Sequence, residues 1–304
     1  MPTYGKCSLC GESKDLRLGH LIPQFVVKWQ KESSATGFIR SSPVVNRRSQ
    51  DGPKEHILCG ECELLFNRWE TPVANKIFHP LNRRDAHIFH YQSWLLKFAV
   101  SISWRVLSWY RSVDGTEYSQ DAEVLMTQVL KTWKSFLFDR RDDPAPFHQH
   151  MIFHDAIESM DNITYLPANM NRYFLRATDV NLALSDGNPA FIFTKMGRMT
   201  VLGFINCKNP DHWKGTKISA GTGVIGGDVV VPEGFLKYLI ERAVRVAREI
   251  EGLSDKQNVV IDRSYRKDLN RAFRSETWRA LDEDVRLFGE NAAFAKIGNS
   301  KKKK

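Results

Sequence analysis

The chain has 304 residues, of which 42% are hydrophobic and 26% charged. That balance is ordinary for a globular protein and excludes a disordered, collagenous or disulfide-scaffold chain. The formal charge is +9, but Lys301–Lys304 carry four of these charges, so the body is only mildly basic. A polyanionic partner is therefore permitted by charge without being demanded by it.

The length suggests two domains. The first six residues, Met1–Lys6, hold no apolar signal core. The most apolar stretch, Trp94–Tyr110, is interrupted by Lys97 and Arg105 and falls short of the roughly 20 residues a bilayer needs. The expectation is a cytoplasmic protein with no membrane segment. Its five cysteines are too few for a disulfide framework. Four form two C-x-x-C pairs, Cys7/Cys10 and Cys59/Cys62. Paired cysteines in such a chain read as metal ligands, because a two-residue gap lets one tight turn present both sulfurs to one ion. Four thiolates close a tetrahedral zinc site with no open position, so this zinc is expected to be structural.

Residues 1–90 contain both pairs and little periodic apolar pattern; a region too poor in core to fold alone needs such a staple. Residues 91–300 are expected to form an α+β domain, helical over 91–140, strand-rich over 170–232 and helical again over 233–297. Residues 301–304 form a basic tail. Within the α+β domain, Trp94, Leu95, Phe98, Ile102, Val106 and Trp109 recur at helical spacing, broken by Asp114-Gly115, and Val124–Leu137 continue the pattern. Arg172–Leu184 is rich in β-formers. Phe191–Thr194 and Thr200–Ile205 flank Met196-Gly197-Arg198 as a hairpin, and Val229–Val231 reads as a further strand. Helices are predicted from Pro232 through Ile250 and from the N-cap Ser275 to about Lys296. Gly221-x-Gly223-x-x-Gly226 matches a dinucleotide fingerprint in letters only, because a strand rather than a helix is expected after it, so no nucleotide cofactor is implied.

Between the cysteine pairs stand Leu16-Arg17-Leu18-Gly19, His20-Leu21-Ile22-Pro23 and Asn46; Asn67 and Glu70 follow Cys59-Gly60-Glu61-Cys62-Glu63. Over residues 7–75 this order resembles the HNH (ββα-metal) endonuclease family in its four-cysteine form. The resemblance implies a zinc-stapled, treble-clef-like ββα module that hydrolyses DNA phosphodiesters. His20 would be the general base, an imidazole being suited to that task. Asn46 would orient it. Glu63 and Asn67, four apart on a helix, would share a face and grip a catalytic Mg²⁺ or Mn²⁺. Gly19 stands where the family usually has an acid or His, and a third His is absent; Glu70, near Asn67 on the helix, would serve as a replacement ligand. Arg47, Arg48, Lys54 and Arg68 would contact phosphates. The alternative is a catalytically inactive zinc-stabilised module that binds nucleic acid or protein. A protein partner or an oligomer is compatible with either reading.

Overall fold

The computed structural model describes residues 3–41, 44–113, 117–160, 165–184, 190–207 and 209–293. In chain order the elements are β1 (Thr3–Lys6), β2 (Ser13–His20), α1 (Gln24–Glu32), β3 (Ile39–Arg40), β4 (Arg48–Ser49), β5 (Lys54–Cys59) and α2 (Gly60–Val73). A π-helical segment (Ala74–Phe78) joins α2 to α3 (His79–Arg83), followed by β6 (Ile88–Tyr91), α4 (Trp94–Val113), α5 (Gln120–Leu137) and β7 (Gln149–Phe153). Then come α6 (Met170–Arg176), β8 (Thr178–Ala183), β9 (Ala190–Met196), β10 (Met199–Asn206) and β11 (Gly223–Gly226). The chain closes with α7 (Glu233–Glu251), α8 (Asp255–Lys267), α9 (Leu269–Arg274), α10 (Glu276–Phe288) and α11 (Glu290–Ala293). The fold class is mixed α+β with antiparallel sheets. Among the described residues no helix is long and apolar enough to cross a membrane.

The chain divides into two units that alternate along the sequence instead of meeting at residue 90. One holds residues 1–23, 53–153 and 178–231; the other holds 24–52, 154–177 and 232–304. The cysteine-bearing strands thus share a unit with α4, α5 and the large sheet, while the segment from Gln24 to Gly52 belongs with the C-terminal helices.

In the first unit, β1, β2 and β5 form one antiparallel sheet in the order β1-β2-β5. A bulge at Ile57 lets Arg17 face Leu58 and Leu18 face His56. Bulges of this kind re-aim the side chains that follow them. A second sheet runs β7-β10-β9-β8, with Ala190–Met196 of β9 buried throughout. Helix α4 packs on this sheet. A Cβ on Gly203 of β10 would come within 2.6 Å of the Ser103 Cβ, so glycine is what allows the helix to approach so closely. Phe98, Ile102 and Val106 of α4 and Trp133 of α5 are fully buried. Each such side chain contributes about 1.5–3 kcal/mol to folding.

The helices at 94–113 and 120–137 and the hairpin around Gly197 match the sequence expectations. Three other segments differ. Arg172–Arg176 is helix, not strand, because the Asn171 and Arg172 backbone N–H groups donate to the buried Asp284 carboxylate of α10 (2.8 and 3.2 Å), which caps α6 from far along the chain. Val229–Val231 forms only an isolated bridge, Val230 to Lys214, and the strand in this region lies earlier, in the glycine-rich Gly223–Gly226 paired with β6. Ser275 caps α10 as expected, accepting from the Trp278 N–H, but Gly289 (φ 79°) ends that helix before the short α11. The expected break at Asp114-Gly115, the helix end at Lys296 and the Lys301–Lys304 tail lie outside the described residues.

His150 of β7 provides a stability probe. Its Nδ1 meets the Thr216 hydroxyl at 2.8 Å, and its ring packs edge-on to Phe204. Burial, aided by the nearby His148 and Lys217, pushes its pKa down to about 3. The unfolded chain therefore takes up this proton as pH falls below about 6.5, whereas the folded chain does not, and stability is lost across that window down to about pH 3. Between about pH 7 and pH 5 the loss from this group is expected to be about 2 kcal/mol. Denaturant titrations of wild type and His150→Gln at both pH values should show the wild type losing that much more. Equal losses would mean that the ring protonates in place.

Candidate metal centre and adjoining carboxylate site

The two cysteine turns meet because β2 and β5 pair in register, Leu16 opposite Cys59, while the tight turn after β1 brings Cys7 and Cys10 alongside. The four Sγ atoms all lie within 4.8 Å of one another, with Cys10 and Cys59 at 4.0 Å. That is far beyond a disulfide bond and close to the roughly 3.8 Å that four sulfurs at about 2.3 Å from one ion would keep. The Cys59 backbone N–H donates to the Cys7 Sγ at 3.3 Å. Cys7, Cys59 and Cys62 are buried, and Cys10 is partly so. The Cys62 thiol, hydrogen-bonded to Cys7, is the main force holding the Cys7 thiol well below its usual range, and it is itself pushed up by that crowding. So dense a cluster of thiols could hold a metal ion, as the sequence spacing implied. Cys207 stands apart, its thiol pushed up by burial.

Helix α2 begins immediately after Cys59. Cys62, Phe66, Glu70 and Val73 form its buried face, while Glu61, Asn67 and Arg68 are exposed. Glu61 pairs with Lys14 at 2.7 Å. Glu63 behaves differently. It is half-buried and makes no hydrogen bond or ion pair among the described residues. Burial raises its pKa; the neighbouring Arg105 and His20 oppose that rise, and Glu70 adds to it. Its carboxylate lies against the end of β2, where a Cβ built on Gly19 would stand 2.9 Å from the Glu63 carboxyl carbon. A carboxylate reaching over from the helix thus occupies the space that a side chain at position 19 would need.

His20 closes β2, opposite Lys54, and its carbonyl accepts from the Arg105 Nη1 of α4 at 3.0 Å. The same guanidinium holds Glu70 Oε1 at 2.8 Å and lies over the Phe66 ring. Glu70, which the sequence suggested as a replacement ligand, is thus paired with Arg105 through one of its oxygens. Asn46 is also committed elsewhere. In the second unit it donates to the Gly252 carbonyl (2.9 Å) and accepts from the Ser254 N–H (2.8 Å), tying its loop to the turn before α8. These bonds engage both ends of the amide that the sequence suggested as the group orienting the imidazole. Of the four basic residues, Lys54 and Arg68 lie in the unit that carries His20; Arg47 and Arg48 lie in the other, with Arg48 stacked on Phe38.

Arg105 was not singled out from the sequence as a site residue. Its signal was present, as one of two charges interrupting the most apolar stretch of the chain. A cation at such a position is buried only with a partner. No model of a known protein family matches the chain, nor does any curated protein or solved structure.

Proposed function

We propose that this protein is a metal-dependent endonuclease that hydrolyses DNA phosphodiester bonds, built on an HNH-type ββα module stapled by zinc at Cys7, Cys10, Cys59 and Cys62. One observation carries the reading: a half-buried, unpaired carboxylate, Glu63, beside the histidine that ends the strand. Such a carboxylate is costly without a cation. Mg²⁺ commonly uses one or two protein carboxylates and completes its shell with water and substrate phosphate, so the donors here suit it. Glu63 and Asn67 would hold that ion, which would polarise the phosphate and stabilise the leaving oxygen. His20 takes the proton from the water that attacks phosphorus. Arg105 fixes the His20 backbone and neutralises Glu70, leaving Glu63 as the charged donor. Lys54 and Arg68 contribute phosphate contacts near the base.

The second reading, a zinc-stabilised binding module without cleavage, draws on the pairing of Glu70 with Arg105, which leaves a small donor set. Plasmid nicking with Mg²⁺ or Mn²⁺ separates the two. Wild type should nick, and His20→Ala and Glu63→Gln, each with zinc content verified, should be slower by about 10²–10⁴-fold. A zinc-loaded wild type that binds DNA and never nicks it would establish the binding module instead.

A further inference from the structure

A groove of ≈ 440 Å³ lies in the first unit between the first cysteine turn and helices α4 and α5. Three hydroxyls and three cations line it: Ser8 between the cysteines of the first pair, Ser108, Arg111 and Ser112 on α4, and Lys131 and Lys134 on α5. Its remaining wall is Trp104 and Leu130, and among the described residues no carboxylate lines it. Arg111 shares its charge with Glu123 at 2.6 Å. Lys131 and Lys134 make no ion pair among the described residues. Two lysines three residues apart on a helix repel each other, so their placement in one groove costs stability unless an anion offsets it. An anion would turn that repulsion into attraction. The donors come from three elements, the first cysteine turn, α4 and α5, and they number three hydroxyls and three cations. So many donors suit a chain of phosphates more than a single carboxylate or phosphate ion.

We infer that this groove carries the phosphodiester backbone of a DNA strand. The inference rests on the nuclease reading for the identity of the polyanion, and it names a substrate contact well away in sequence from His20 and Glu63. Lys134 approaches the first cysteine turn: a Cβ on Gly11 would lie 3.9 Å from its Nζ. The other conceivable task of the lysines is to balance thiolate charge, so zinc content is read in every variant.

The test is fluorescence anisotropy of the full zinc-loaded chain with a labelled duplex of about 20 base pairs, without Mg²⁺ or Mn²⁺, over a series of salt concentrations. Neutralising two phosphate contacts should make the slope of log K against log salt shallower by about two in Lys131→Gln/Lys134→Gln. Affinity at about 0.1 M salt should fall by roughly 30-fold, more in the charge-reversed Lys131→Glu/Lys134→Glu, and Lys237→Glu on α7 should leave both unchanged. Unaltered slope and affinity in the double variants would overturn the inference, as would a wild type that binds no duplex at about 50 mM salt. Loss of zinc from both double variants would also overturn it, assigning the lysines to the thiolates. A glutamate peptide of equal charge that displaces the duplex as well as DNA does would make this an acidic-peptide groove. A wild type that nicks DNA while the lysine variants bind normally removes the groove and keeps the nuclease. Weakened binding in the variants of a chain that never nicks keeps the groove and removes the nuclease.

Discussion

Cys62→Ser should abolish bound zinc and leave the β1-β2-β5 sheet unfolded, while Cys207→Ser should do neither. Without an ion the sheet has little apolar core to hold it. Tyr4 and Leu18 point to solvent, and the buried apolar residues around the cysteines are few, chiefly Leu9, Leu16 and Leu58. A structural zinc site contributes on the order of 10 kcal/mol to a small module, which is comparable to the whole stability of a typical domain. Serine keeps the size of cysteine but supplies no thiolate, so three ligands would remain in a site that needs four. Helix α2 should survive in part, because Phe66 packs edge-on to Trp104 of α4. The expected result is one zinc per chain in wild type by elemental analysis, almost none in the variant, and new proteolytic cuts confined to 3–20 and 54–59. A zinc-free wild type resistant to protease over the same segments would show that the thiols pack as an apolar cluster and hold no ion.

The features legible in the sequence are those whose cause is local. C-x-x-C spacing is a property of one turn, and two such turns on paired strands had to converge. The helical period of Trp94–Trp109 and the hairpin about Gly197 are equally local. What escaped was held from a distance. Helix α6 depends on Asp284, and without that acceptor Arg172–Arg176 reads as strand. The bonds of Asn46 to Gly252 and Ser254 leave no mark in the sequence, because these partners lie more than two hundred residues away. Glu63 and Glu70 occupy the same side of one helix, and periodicity cannot tell a carboxylate left unpaired from one already neutralised. Only the arrival of Arg105 from α4 separates them.

Arg105 is where stability and the proposed chemistry meet, and Arg105→Met should damage both. Arg105 is 3% exposed and Glu70 is 9% exposed. Removing one partner of such a pair strands the other, a loss of about 3–5 kcal/mol. Lysine should not restore the site, because one ammonium on a flexible stem cannot reproduce a planar fork that serves Glu70 and the His20 carbonyl while lying over Phe66. The double variant Arg105→Met/Glu70→Leu removes the stranded charge together with its partner, so denaturant titration should show most of the stability regained. Nicking should not return with it. The His20 carbonyl would still lack the Arg105 donor that steadies the strand end carrying the imidazole. Recovered stability with activity still lost identifies Arg105 as a positioning residue for His20. Recovery of both would reduce it to a structural ion pair, and a double variant no more stable than Arg105→Met would show that Glu70 was never the group left stranded.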